Sequence, residues 1–150
     1  MGEGIGLIYI DSSCLVKVFR FEPESSAVLK AVNRESVVTV SALAELEVLV
    51  QLKADYLAGH LTRPHWRQLE ARFSVQRHQP PYEFRALPVS LFQTAFRQHR
   101  NSGETHCRSL DRLHLAAMEE LKLSRLITHD EKQAKAAKEA GFEVIWPGRD

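Results

Sequence analysis

Short, almost wholly apolar runs alternate along the chain with longer stretches in which apolar residues recur every three or four positions. The first run, Ile5-Gly6-Leu7-Ile8-Tyr9-Ile10, has no polar face and so reads as a strand buried on both sides at the centre of a parallel sheet. It leads through Asp11-Ser12-Ser13 into an apolar-periodic stretch, Cys14 to Phe19. Pro23, between Glu22 and Glu24, predicts the start of a helix carrying Ala27, Val28, Ala31 and Val32. Val37-Val38-Thr39-Val40 is β-branched throughout and predicts a second buried strand, ended by Ser41 as the cap of a long helix through Leu43, Leu46, Val50 and Leu57 to about Gly59. Thr62-Arg63-Pro64 opens a further helix with Trp66, Leu69, Phe73 and Val75 as its apolar set, and Pro80-Pro81 closes it.

The second half repeats the alternation. Phe84 to Val89 predicts a strand that Pro88 confines to an edge. Ser90 caps a helix through Phe92, Ala95 and Phe96, and Asn101-Ser102-Gly103 forms a loop. Ser109 to Leu123 predicts an amphipathic helix with Leu110, Leu113, Ala117 and Leu121 on its apolar side. A strand at Arg125–Thr128, a helix from Glu131 to Ala140 begun by the capping pair Asp130 and Gln133 and ended by Gly141, and a strand at 143–146 complete the chain. The expected fold is α/β: a doubly wound, mostly parallel five-stranded sheet with helices on both faces, forming one domain over residues 1–150.

Composition narrows the class. A chain of 150 residues with 44% hydrophobic and 26% charged residues is ordinary for a globular protein, and no run approaches the length of a membrane span. The opening apolar run lacks the basic flank and cleavage site of a signal peptide, so the cytoplasm is the expected location. Two cysteines, Cys14 and Cys107, suggest neither a disulfide framework nor a zinc site, and the seven histidines read as surface or packing residues. The net charge of +1 hides a basic middle: between His60 and Arg112 nine arginines (63, 67, 72, 77, 85, 97, 100, 108, 112) face four acids. That suits a polyanionic ligand if the arginines converge, and ordinary solvated helix faces if they do not.

Four carboxylates stand where chemistry gathers in such folds. Asp11 and Asp130 follow strands, at the carboxyl edge of the expected sheet; each is also a good helix cap. Glu47 shares a helical stripe with Leu43 and Val50, whereas Glu45 points to the opposite side. Asp111 lies in the first turn of its helix, where the helix dipole already favours an acid. Carboxylates brought within several ångströms repel one another, and a hard divalent cation with oxygen ligands removes the conflict.

The segments Tyr9-Ile10-Asp11-Ser12-Ser13, Ser41-Ala42-Leu43-Ala44-Glu45-Leu46-Glu47-Val48, Arg108-Ser109-Leu110-Asp111-Arg112-Leu113-His114-Leu115-Ala116 and Thr128-His129-Asp130, in this order and covering essentially the whole chain, resemble the PIN-domain family and most closely its VapC-type toxin ribonucleases. The resemblance implies that Asp11, Glu47, Asp111 and Asp130 hold Mg2+ or Mn2+, with Ser13 and Thr128 bordering the site. Ser41, six positions ahead, selects Glu47 over Glu45. It further implies a divalent-metal-dependent endoribonuclease of a toxin–antitoxin pair. Such a protein acts on RNA, forms a homodimer and is covered at the acid pocket by a small antitoxin; Trp66, Phe73, Phe92 and Phe96 on the central helices are candidates for the dimer surface and equally for the core. Arg112 and His129 depart from the family's pattern and are expected to alter substrate contacts. The alternatives are a catalytically inactive PIN-like RNA-binding or protein-interaction domain, and a phosphoacceptor-type domain, which lacks the second acid beside Asp11 that it would need.

Overall fold

The computed structural model describes residues 6–149, so Ile5, counted in the first expected strand, lies outside the described residues. Strands β1 (Leu7–Ile10), β2 (Val37–Ser41), β3 (Tyr82–Arg85), β4 (Arg125–Ile127) and β5 (Glu143–Ile145) form one sheet in the order β3-β2-β1-β4-β5. Every pairing is parallel. Between them run α1 (Ser12–Phe19), α2 (Ser25–Asn33), α3 (Ala42–Leu57), α4 (Arg63–Gln76), α5 (Leu91–Asn101), α6 (Ser109–Glu120) and α7 (Glu131–Glu139).

The pleat sorts the central strands into two cores. Ile8 and Ile10 face one way, with Val38, Val40 and Ile127, against Leu15, Val28, Val48, Leu52 and Phe73 from α1 to α4. Tyr9 and Leu126 face the other way, against Ala95, Leu115, Met118 and Ala137 from α5, α6 and α7. This is the doubly wound arrangement, and each fully buried Ile, Leu or Phe contributes roughly 1.5–3 kcal/mol to it. The chain winds from β1 to β2 and β3 on one side, then crosses back to lay β4 and β5 on the other. The winding therefore reverses between β1 and β4, and a crevice opens beyond the carboxyl ends of these two strands.

Several expected details shift. The edge strand is β3, yet it starts at Tyr82, where Val38 N–H donates to Pro81 O at 2.8 Å, and it ends before Pro88, which has no N–H to continue a ladder. The second helix begins at Ser25 rather than Pro23, because the Ser25 hydroxyl accepts from Glu22 N–H and donates to Arg20 O, closing a turn first. On α3 the buried line is Ala44, Val48 and Leu52, while Leu46, Val50 and Leu57 are exposed. That helix is apolar on more than one side, and the small Ala44 marks the side lying closest to the sheet. Val75 and Leu110 are likewise exposed, and α6 buries Leu115, Ala116, Ala117 and Met118 together with Asp111, Arg112 and His114. Of the four aromatic candidates for a dimer surface, Trp66 and Phe73 are core residues; Phe92 and Phe96 are exposed on α5. No helix among the described residues is long and apolar enough to cross a membrane.

Candidate active site

The crevice between β1 and β4 is a cavity of about 380 Å³, and its lining includes Asp11, Glu47, Asp111 and Asp130 with Ser13, Arg108 and His114. Four different elements deliver the acids. Asp11 follows β1, Glu47 is in the second turn of α3, Asp111 is in the first turn of α6, and Asp130 precedes α7. Glu45 is directed elsewhere and pairs with Arg77 on α4.

Asp11 is 4% exposed and surrounded by donors. Its Oδ1 accepts from Ser13 Oγ at 2.6 Å and from Cys14 N–H at 3.4 Å, and its Oδ2 accepts from Thr128 Oγ1 at 2.5 Å. It is thus the cap of α1 and a member of the acid cavity at once. Burial raises the Asp11 carboxyl above the ordinary range; the nearby His114 and the Ser13, Thr128 and Cys14 hydrogen bonds offset only part of that cost. The two hydroxyls also join the strand ends: Ser13 Oγ accepts from His129 N–H at 2.9 Å and Thr128 Oγ1 from Asp130 N–H at 3.0 Å.

Asp130 caps α7 with one oxygen, Oδ1 accepting from Lys132 N–H at 2.9 Å and Gln133 N–H at 3.1 Å. Its other oxygen accepts from Arg108 Nη2 at 2.5 Å, while Arg108 Nε donates to Asp111 Oδ2 at 2.7 Å. Burial works to raise the Asp130 carboxyl, but the Gln133 amide and the Arg108 guanidinium bring it below the usual carboxylate range. One cation of the chain itself therefore bridges two of the four acids. Among the described residues, no three ligand-type side chains lie close enough together to enclose an ion as they stand.

Glu47 Oε1 is 2.5 Å from His114 Nε2, and the far side of that ring meets Tyr9 Oη at 2.6 Å. The histidine is buried, so its role is more specific than the surface or packing part expected of it. The available signal was its place on α6, one turn after Asp111 and on the same face. Arg108 was missed for a similar reason, lying one turn before that acid.

The two residues that depart from the family's pattern do not face the cavity. Arg112 is buried toward α5, donating to Gln98 Oε1 at 3.3 Å. His129 donates from Nε2 to Pro147 O at 2.7 Å and accepts from Lys17 Nζ at Nδ1, which makes it a strut between α1 and the end of the chain. Nor do the arginines gather at the acids: Arg67, Arg77, Arg85 and Arg97 each pair with a glutamate elsewhere, and Arg108 alone of the nine lines the acid cavity.

A doubly wound parallel sheet whose switch-point cavity is lined by acids sets the α/β class, and likeness to known proteins sets the family. The family model described as PIN domain matches residues 8–139, and the chain belongs to the PIN domain family. A ribonuclease, VapC46 of Mycobacterium tuberculosis, is 32% identical over 142 residues, covering 93% of this chain and 97% of that protein. Among solved structures, the sarcin-ricin-loop-cleaving toxin VapC20 of Mycobacterium tuberculosis superposes with a TM-score of 0.69 at 15% identity, over 93% of this chain and 99% of that one. A toxin–antitoxin complex from Klebsiella pneumoniae gives 0.64 at 17% identity, over 95% and 99%.

Proposed function

We propose that this protein is a divalent-metal-dependent endoribonuclease that hydrolyses RNA phosphodiesters as the toxin of a toxin–antitoxin pair. The observation that carries the reading is the delivery of four carboxylates, from four elements, to one cavity at the switch point of the sheet. The ribonuclease relative, similar over almost its whole length, supports the activity and the substrate class.

The donor set suits Mg2+ or Mn2+. All four candidate ligands are carboxylates, which hard cations prefer, and magnesium keeps several waters, so one or two direct carboxylates suffice. Arg108, paired with both Asp111 and Asp130, supports a cation at these two acids. Asp11, Glu47, Asp111 and Asp130 would hold the divalent ion, which would supply a water of lowered pKa and offset charge on the phosphate. Asp11 is the fixed point of the set, held by two hydroxyls and an amide. Asp111 and Asp130 form the opposite wall, and Glu47, paired with His114, completes the lining. Ser13 and Thr128 keep the Asp11 carboxylate turned toward the cavity.

The same reading places the protein in the cytoplasm as a homodimer restrained by a small antitoxin. The relatives' assemblies, among them the Klebsiella toxin–antitoxin complex, support the partner. Phe92 and Phe96, exposed with their rings 6.3 Å apart, are the remaining candidates for the dimer surface. Leu43, Leu46, Val50 and Leu110 line an apolar groove that runs up to Glu47 and could seat an antitoxin segment, whose basic side chain would satisfy the acids as Arg108 does.

The competing reading, a catalytically inactive RNA-binding or protein-interaction domain, draws on the same Arg108 bridge, since a permanently held guanidinium would exclude the ion. The purified protein is expected to cleave single-stranded RNA with magnesium or manganese and to stop with EDTA. Binding of RNA without cleavage under any divalent ion would favour the inactive domain.

A further inference from the structure

Within the metal-nuclease reading, on which this step rests, we infer that His114 is a positioning residue for Glu47, fixing its carboxylate in the cavity through a buried hydrogen-bond chain anchored on Tyr9 and Ser41. The chain runs across four elements: Ser41 Oγ at the end of β2 is 2.7 Å from Tyr9 Oη on β1, Tyr9 Oη is 2.6 Å from His114 Nδ1 on α6, and His114 Nε2 is 2.5 Å from Glu47 Oε1 on α3. Ser41, Tyr9 and His114 are all buried, so no solvent competes for these contacts.

One arrangement of hydrogens satisfies every member. Ser41 Oγ accepts from Ala44 N–H at 3.2 Å as the cap of α3, which leaves its own hydrogen for Tyr9. Tyr9 then donates to His114 Nδ1, and the remaining ring hydrogen sits on Nε2, aimed at Glu47. Burial raises the Tyr9 phenol and keeps it in the protonated form that donates. Each link thus passes a donor toward the cavity and delivers an N–H to the carboxylate.

The need for such a device follows from the other acids. Asp11 is held by three donors, Asp130 by two amides and Arg108, and Asp111 by Arg108. Glu47 has the longest side chain of the four and faces like charges, so without a fixed donor its carboxylate swings toward water. Supporting residues of this kind typically change metal affinity or activity by about 10–100-fold when removed.

The test compares His114→Met, which fills the space without a donor, with His114→Gln, whose amide restores one toward Glu47. Each is made alone and with Glu47→Gln, and RNA cleavage and Mn2+ affinity by electron paramagnetic resonance are both read. His114→Met is expected to lower kcat and weaken Mn2+ binding by about 10–100-fold. His114→Gln is expected to recover much of the loss, and His114→Met to add little once Glu47 is already Gln, since it acts through that carboxylate. Unchanged Mn2+ affinity and kcat in His114→Met, or an equal loss in the Glu47→Gln background, overturns the inference. If the wild type neither binds Mn2+ nor cleaves RNA, the nuclease reading fails instead. The nitrogen-15 spectrum of His114 then decides the positioning by itself: hydrogen on Nε2 supports it, hydrogen on Nδ1 alone overturns it.

Discussion

The cavity has two walls built on different principles. On one, Asp11 is almost wholly buried and closed in by Ser13, Thr128 and the Cys14 amide in the first turn of α1. On the other, the buried Asp111 and the partly exposed Asp130 are joined by Arg108, whose side chain is 48% exposed. A buried carboxylate needs donors that stay in place, because desolvation without them costs several kcal/mol. Acids joined by a half-exposed guanidinium need only a cation, and one cation can be exchanged for another. The Asp11 wall is accordingly preorganised, and the Arg108 wall is exchangeable.

The largest expected effect comes from breaking the fixed wall. Asp11→Asn keeps the shape and a capping oxygen but loses the charge, and kcat for RNA cleavage should fall on the order of a thousandfold, the scale seen when a preorganised electrostatic group is removed. Thr128→Val deletes one donor to that carboxylate and should cost about 10–100-fold, as second-layer changes around metal ligands do. Near-normal cleavage by Thr128→Val would show that Asp11 needs no fixing.

Stability against pH separates the walls by sign. Burial raises Asp11 in the folded state, so its contribution is fully present below the ordinary carboxylate pKa and is lost as pH rises through the folded value. Asp130 is lowered, so its contribution is present above the ordinary pKa and is lost as pH falls through the folded value. In metal-free protein, acidification should move the melting temperature of the wild type upward relative to Asp11→Asn and downward relative to Asp130→Asn. Parallel trends for the two variants would remove the distinction.

The smallest expected effect tests exchange itself. Arg108→Ala removes the internal competitor, and magnesium binding in the absence of RNA should tighten severalfold, as when a competing closed state is abolished. Weaker binding would mean that Arg108 supports the site instead of filling it.

Much of this was legible in the chain, and the failures share a cause. The buried runs at Ile8 and Val38 showed a parallel sheet because no water-facing alternative exists for them. Asp11 and Asp130 could be placed because strand ends are visible in sequence. The face of a helix that is apolar on two sides is not visible: Leu46, Val50 and Leu110 read as core, yet they border the groove beside the cavity. His114 read as a surface or packing residue and Arg112 as a substrate contact, yet α6 buries both against partners on β1 and α5 that are distant in sequence. Tertiary hydrogen bonds of this kind leave no local periodicity.

Anomalous scattering from a crystal of the protein equilibrated with manganese reads directly which cation occupies the cavity. The account predicts a peak inside the cavity, about 2 Å from an oxygen of Asp11, with Arg108 withdrawn from between Asp111 and Asp130. A saturating soak that leaves Arg108 bridging those acids, with manganese absent or bound elsewhere, would contradict it.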